Sequence, residues 1–249
     1  MEQRGMNERI RKLRALSVNT PPHIDMERAK IMTETYRREE GVLSVPQLRA
    51  QALKDYFSQK TLYLGEGELI VGEKGDSPQG APTFPELCCH SVEDMRLMNE
   101  RELIRFQVTP EDMALQEKVM IPFWKERCIR SRIFRQMTPE WKKAYECGIF
   151  TEFMEQRGPG HTVGSSKIYE KGLLDYQRDI QEAIDRLDFF QDPHALERKE
   201  ELEGMYTACE ALMLLAARYS AYARELAEQE GNAQRRVELL QIAENCAVV

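Results

Sequence analysis

Apolar residues at helical spacing constrain the fold of this chain more than any other feature of its sequence. They recur at steps of three in residues 10–16, and at steps of three and four in residues 26–36. Such spacing lines up one apolar stripe along a helix, as in an amphipathic helix packed on a core. Residues 19–22, Asn-Thr-Pro-Pro, interrupt the pattern because proline disfavours helix. We therefore predict two helices joined by a proline turn.

The same reasoning predicts helices along most of the remaining chain. Thr109 and Thr138 each precede a proline and an acidic residue, a combination that marks a helix start. Other helices are predicted over residues 46–58, 167–190, 194–230 and 232–246. In the longest one, an apolar stripe is predicted to be helix core rather than a cofactor site; it consists of Met205, Cys209, Leu212, Met213 and Ala216.

One stretch departs from the helical period. Residues 61–64 and 69–72 are short runs rich in β-formers on either side of Gly-Glu-Gly-Glu at 65–68, which predicts a β-hairpin. Residues 74–85 follow, and their five glycines and prolines predict an irregular connection. The predicted fold class is therefore mainly α with a small β-hairpin.

Composition excludes several classes of function. The 249 residues are 42% hydrophobic, enough to bury a core, and the net charge of −7 leaves no basic stripe for nucleic acid. There is no run of about 18 apolar residues, and the N-terminus lacks the apolar core of a signal peptide. We expect a cytoplasmic protein without a membrane segment. The six cysteines are dispersed, so reduced thiols are expected.

Two cysteine-containing positions invite a chemical interpretation. Cys88, Cys89 and His90 are consecutive, but they lack a second Cys/His pair at ligand spacing, so we predict no metal site and assign them to packing. Cys147 precedes Gly148 at a predicted helix end, where it could act as a nucleophile. With no neighbouring base identifiable, we interpret it as a packed small apolar side chain.

The segment formed by residues 150–164 is the strongest candidate site. It combines aromatic and charged residues and His161 with three glycines, which allow close backbone approach, and an imidazole can transfer protons near neutral pH. A connecting turn whose histidine satisfies a buried carbonyl is the alternative, and the residues alone leave both open. No dinucleotide, Walker, Gly-x-Ser-x-Gly or His-Glu-x-x-His motif occurs.

Several ordered sequence blocks resemble the N-terminal half of the pyruvate formate-lyase-like domain of glycyl radical enzymes. They are residues 21–29 (Pro-Pro-His-Ile-Asp-Met-Glu-Arg-Ala), 67–72 (Gly-Glu-Leu-Ile-Val-Gly), 80–86 (Gly-Ala-Pro-Thr-Phe-Pro-Glu), 121–125 (Ile-Pro-Phe-Trp-Lys) and 239–246 (Leu-Leu-Gln-Ile-Ala-Glu-Asn-Cys). Within that family, residues 88–90 and 150–163 look most like the trans-4-hydroxy-L-proline dehydratases. The resemblance implies that residues 1–249 are the N-terminal part of a domain built around a ten-stranded α/β-barrel.

The resemblance also implies a radical mechanism. In the family, a C-terminal glycyl radical, installed by an S-adenosylmethionine iron–sulfur activase under anaerobic conditions, generates a thiyl radical on a barrel cysteine that attacks a small-molecule substrate. Neither a Gly-Cys-Val-Glu loop nor an Arg-Val-x-Gly loop occurs in the sequence. We therefore expect the chain to bind no cofactor itself and to be inactive alone, with the activase as partner and a homodimer left open.

Two residues carry over from the family's substrate pocket. By resemblance, Phe153 packs against the pyrrolidine ring, and His161 contacts the substrate hydroxyl and assists its loss as a catalytic and substrate-binding residue. The alternatives are a truncated, non-catalytic remnant or half-protein, a helical adaptor, or another glycyl radical lyase acting on glycerol, a diol or choline, or a C-acetyltransferase. An isolated N-terminal part is also expected to expose apolar helix faces and to associate.

Overall fold

The computed structural model describes residues 7–149 and 165–249, and most of them are helical, as predicted. In chain order the helices are α1 (Glu8–Asn19), α2 (Glu27–Glu39), α3 (Val45–Gln59), α4 (Val92–Glu100), α5 (Pro110–Leu115), α6 (Ile121–Trp124), α7 (Ile129–Gln136), α8 (Pro139–Glu146), α9 (Leu173–Asp185), α10 (Ala195–Gln229) and α11 (Ala233–Ala247). The strands are β1 (His23–Asp25) and β2 (Gly80–Pro82). Every predicted helix has a counterpart, although the predicted run at 167–190 is a 3₁₀ turn, Ser165–Tyr169, followed by α9.

The described residues fall into two compact units. The first contains residues 7–20, 30–79 and 165–249, and the second contains residues 21–29 and 80–149. In the first unit, α10 is the central helix and packs against α3, α9 and α11. No helix in the described ranges is long and apolar enough to cross a membrane.

The buried residues of α10 are small apart from Tyr219, which corrects the predicted stripe. Met205 is 49% exposed and Leu212 is 40% exposed, whereas Gly204, Ala211 and Ala223 are buried. A Cβ atom at Gly204 would lie 3.0 Å from the backbone oxygen of Pro46 at the start of α3. The positions of the larger apolar side chains therefore did not indicate the buried face. Helices α10 and α3 cross so closely that small side chains are needed where they meet.

The predicted hairpin at residues 61–72 is wrong: this segment contains a turn but no strand. The turn is where it was predicted, since the amide of Glu68 donates to the carbonyl of Gly65 at 3.3 Å. The flanking runs do not pair with each other; instead, Arg235 of α11 donates to the carbonyls of Gly65 and Glu68 at 2.9 and 2.7 Å. A buried guanidinium thus satisfies backbone groups in this turn and holds the segment against α11.

The two-stranded sheet of the described chain lies in the second unit and is parallel. His23 pairs with Gly80, and Asp25 pairs with Pro82. β2 therefore lies inside residues 74–85, which were predicted to be irregular throughout. Proline within a strand is tolerated at an edge position, where its missing N–H costs no ladder bond.

Helices α4–α8 build the rest of the second unit, and both predicted threonine caps are confirmed. The hydroxyl of Thr109 accepts from the amide of Asp112 at 3.1 Å, and that of Thr138 accepts from the amide of Trp141 at 3.4 Å. Between α5 and α6 the helix widens into a π turn, Gln116–Met120. This turn precedes Pro122, which cannot donate to the preceding turn of an ordinary α-helix. Met120 and Trp124 are buried in the core of this unit.

Candidate functional site

The two residues predicted to touch substrate, Phe153 and His161, lie outside the described residues. The described elements that bear on this site are the helices that directly precede the segment in the chain and the Cys88–His90 stretch. Both belong to the second unit. Helix α8 is the last helix before residue 150.

Three side chains, which we call the α7–α8 clamp, hold α8 against α7: Arg130, Phe134 and Tyr145. The Arg130 guanidinium donates to the Tyr145 hydroxyl at 2.5 Å and lies 4.9 Å from the centroid of the Phe134 ring. The Phe134 and Tyr145 rings meet edge to face, with centroids 5.0 Å apart and planes at 87°. This combines a charge-assisted hydrogen bond with a favoured aromatic geometry, so the clamp fixes the last turn of α8.

The C-terminal end of α8 is a Schellman motif centred on Gly148. The φ of Gly148, +72°, is in the left-handed region. The amide of Gly148 donates to the carbonyl of Tyr145 at 2.9 Å, and the amide of Ile149 donates to the carbonyl of Ala144 at 3.0 Å. These are the two hydrogen bonds that define the motif, and glycine is the residue that adopts its conformation without strain. The motif sets the direction in which the chain leaves α8.

Cys147, the C-terminal cap of α8, corrects another prediction. Its side chain is exposed, so it is not the packed apolar residue that the sequence indicated. All six cysteines are free thiols.

Backbone hydrogen bonds fix the stretch that leads to Cys88–Cys89–His90 on the N-terminus of α7. The amides of Ile129 and Arg130 donate to the carbonyls of Glu86 and Leu87 at 2.9 and 3.0 Å. The buried Gln116 side chain, from the π turn, donates to the carbonyl of His90 at 2.6 Å. Arg130 therefore belongs both to the α7–α8 clamp and to the support of this stretch.

Burial shifts the pKa values of Cys89 and His90. Desolvation, with smaller contributions from Cys128 and Cys88, raises the pKa of the Cys89 thiol to about 12. Burial, assisted by the positive charge of Arg130 and opposed by Asp94, lowers the pKa of His90. The thiol is therefore protonated and the imidazole neutral at pH 7. In the described part of the chain, no three His, Cys, Asp or Glu side chains form a group that could hold a metal ion.

An ion pair between Arg28 and Glu86 was not identified as a functional feature from the sequence. The guanidinium contacts both carboxylate oxygens of Glu86, at 2.5 and 3.1 Å, and donates to the carbonyl of Thr83 at 3.2 Å. It also lies 3.9 Å from the centroid of the Phe84 ring. Both residues lie in the sequence blocks that carry the family resemblance, and this location was the only sequence signal that could have pointed to the pair. The pair fixes the stretch before Cys88, as a bidentate contact of low exposure does.

With this geometry established, the family follows from comparison with known proteins. A pyruvate formate lyase-like family model matches residues 6–249, so the chain belongs to the pyruvate formate lyase-like family. It is 50% identical over 246 residues to the trans-4-hydroxy-L-proline dehydratase of Clostridioides difficile, covering 99% of this chain and 31% of that enzyme. The match extends beyond the dehydratases. An isethionate sulfite-lyase of Nitratidesulfovibrio vulgaris is 28% identical over 259 residues, which cover 99% of this chain and 31% of that enzyme.

Solved structures agree with the sequence comparison. The crystal structure of hydroxyproline dehydratase from C. difficile, with trans-4-hydroxy-L-proline bound, superposes with a TM-score of 0.93 at 50% identity, over 99% of this chain and 31% of that chain. The glycerol-bound structure of the B12-independent glycerol dehydratase of Clostridium butyricum superposes with a TM-score of 0.88 at 27% identity, over 98% of this chain and 32% of that chain. The present chain thus spans about a third of the length of the relatives it matches.

Proposed function

We propose that this chain is the N-terminal third of a glycyl radical dehydratase that eliminates water from trans-4-hydroxy-L-proline to give a pyrroline carboxylate. The observation that carries the proposal is the 50% identity to the C. difficile dehydratase over 99% of this chain, against 28% to the sulfite-lyase and 27% to the glycerol dehydratase. This difference in identity supports hydroxyproline as the proposed substrate over the substrates of the other two relatives.

Residues 1–249 supply only some of the groups that the proposed reaction needs. The radical-bearing glycine loop and the hydrogen-abstracting cysteine loop would come from the polypeptide beyond these residues, which form the N-terminal part of the domain. The radical supplies hydrogen abstraction from the substrate, and a separate activase installs it. The chain's own contribution is substrate binding and proton transfer. An oxygen-free cytoplasm is the setting that this chemistry requires.

His161 and Phe153 are the residues proposed to act on the substrate. By the family resemblance, His161 contacts the substrate hydroxyl and donates a proton to it, so that the hydroxyl leaves as water when the carbon–oxygen bond breaks. Such general acid catalysis typically contributes about 100- to 10,000-fold to the rate. Phe153 packs on the pyrrolidine ring, which buries apolar surface and orients the substrate.

The test uses the full-length polypeptide that carries this chain, activated under anaerobic conditions. We expect the wild type to convert trans-4-hydroxy-L-proline, and His161→Ala to lower kcat by about 100-fold or more. His194→Ala is the matched control, because His194 is an exposed histidine at the start of α10 and should leave kcat unchanged. Wild-type turnover by His161→Ala would overturn the role of His161.

A further inference from the structure

A cleft in the first unit is bordered by the 3₁₀ turn Ser165–Tyr169, α9 and α10, and has a volume of about 270 Å³. Two charged residues that line it, Lys167 and Glu170, are exposed. Tyr176, Ile180 and Leu202 also line it and are buried or half-buried. The cleft therefore combines an apolar floor with a charged rim, which is the arrangement of many small-molecule sites.

The charges at the rim are not all paired within the protein. The Lys171 ammonium pairs with the carboxylate of Asp179, and both residues line the cleft. Lys167 and Glu170, in contrast, form no ion pair in the part of the chain that the structure describes. They are three positions apart and offer one cation and one anion to the same cleft. A ligand that carries one charge of each sign would complement both.

The hydroxyl group of Tyr176 provides a second and independent observation. Its oxygen atom is shielded from solvent and has no hydrogen-bond partner among residues 7–149 and 165–249. Buried polar groups in proteins are nearly always hydrogen-bonded, so a buried hydroxyl without a partner in the lining of a cleft is unusual. A ligand oxygen that accepts from this hydroxyl would complete its hydrogen bonding.

We propose that this cleft binds a small zwitterionic α-amino acid with an apolar side chain. The ligand carboxylate accepts from the Lys167 ammonium and the Tyr176 hydroxyl, and its ammonium group pairs with Glu170. Its apolar side chain packs on Ile180 and Leu202, which removes apolar surface from water. The inference goes beyond the proposed function, because the cleft uses no residue of the 150–164 segment and does not depend on the reaction.

The first experiment titrates L-leucine into the full-length polypeptide without activation, so that no turnover occurs. Saturating trans-4-hydroxy-L-proline is present throughout to fill the proposed substrate pocket. Calorimetry should show one L-leucine bound per chain, with a Kd of about 1 mM or tighter. Two analogues, 4-methylpentanoic acid without the ammonium group and 3-methylbutylamine without the carboxylate, should bind at least tenfold more weakly. No saturable binding of L-leucine, or an equal Kd for either analogue, would overturn the proposal.

Variants of the chain then locate the site. We expect Lys167→Gln to raise the Kd for L-leucine at least tenfold. Lys30→Gln is the matched control, because Lys30 is an exposed lysine of α2 in the same unit and does not line the cleft; its Kd should stay within twofold of the wild type. An equal Kd for Lys167→Gln and Lys30→Gln would contradict the site.

Tyr176→Phe separates a ligand-binding hydroxyl from a purely structural one. The substitution keeps the aromatic ring and removes a buried polar group that has no partner, so the ligand-free variant should unfold at the same temperature as the wild type or higher. Its Kd for L-leucine should nevertheless rise at least threefold. An unchanged Kd in Tyr176→Phe would overturn the role of the hydroxyl. All of these comparisons measure binding without turnover, so failure of the enzyme to convert hydroxyproline would leave them decisive.

Discussion

The Arg235 guanidinium donates to the backbone carbonyl of Glu68, with Nη1 2.7 Å from the oxygen, and so ties α11 to a turn 167 positions earlier in the chain. The same side chain reaches the carbonyl of Gly65 and the carboxylate of Glu238. Removing it takes a charged donor from both turn carbonyls, although Glu238 keeps its ion pair with Arg9. Arg235→Ala should therefore lower the free energy of unfolding by about 2–3 kcal/mol in urea titrations. Arg236→Ala, at an exposed neighbour, should change it by less than about 0.5 kcal/mol. Equal effects of the two substitutions would contradict the role of Arg235.

The same contact explains why local sequence reasoning failed at residues 61–72. The turn at Gly65–Glu68 was predictable, because turn residues act within four positions. The donor to its carbonyls was not predictable, because Arg235 lies far away in sequence and nothing in the sequence distinguishes it from other charged residues on a helix. Helix caps such as Thr109 and Thr138 were correctly predicted for the opposite reason: the amide that donates to each capping hydroxyl lies only three residues later.

Gly204 provides a test of the close crossing between α10 and α3. A Cβ atom there would approach Pro46 to 3.0 Å at the backbone oxygen and 3.1 Å at the carbonyl carbon. Alanine gains about 1 kcal/mol of helix propensity over glycine, but backbone atoms of α3 must move to admit it. We therefore expect Gly204→Ala to be net destabilising by about 1 kcal/mol in thermal or urea unfolding. Gly231→Ala, with open space around its Cβ, should be neutral or stabilising, and a stabilised Gly204→Ala would contradict the close crossing.

His90 predicts a pH dependence of stability. Burial lowers its pKa in the folded protein, with Arg130 acting in the same direction and Asp94 in the opposite direction. The unfolded state therefore binds a proton first as pH falls below about 6.5, and folding stability is lost from that pH downwards. We expect the midpoint of thermal unfolding to fall less steeply between pH 7 and pH 5 in His90→Gln than in the wild type. His194→Gln is the control; a slope in His90→Gln as steep as in that variant would contradict the assignment.

The turn between α9 and α10 exposes an aromatic pair that predicts self-association of the isolated chain. Phe190 is fully exposed and Phe189 is 55% exposed, while the amide of Phe190 is held by the Asp188 carboxylate at 2.9 Å. Exposed apolar clusters promote association, so sedimentation velocity should show oligomers at micromolar concentration that Phe190→Ser reduces. Val42→Ser removes an exposed side chain elsewhere and should have less effect. A clean monomer of the wild-type chain would contradict this prediction.

The candidate site was less accessible to sequence reasoning than the fold. Spacing alone identified residues 150–164 as unusual but left a connecting turn as the alternative, because glycines and a histidine serve either purpose. The α7–α8 clamp depends on a pairing between Arg130 and Tyr145 on different helices, which no local pattern encodes. Gly148 was visible as a glycine at a helix end, but its positive φ became evident only in the structure.

The central claim is that this chain belongs to a dehydratase of hydroxyproline rather than to another lyase of its family. Its most direct test is turnover by the activated full-length enzyme of trans-4-hydroxy-L-proline, glycerol, propane-1,2-diol and choline, each at the same concentration. The account predicts a pyrroline carboxylate from hydroxyproline, with kcat/KM at least 100-fold above that for the other three substrates. Preferred turnover of glycerol, the diol or choline, or no turnover of any substrate by an enzyme shown to carry its radical, would contradict it.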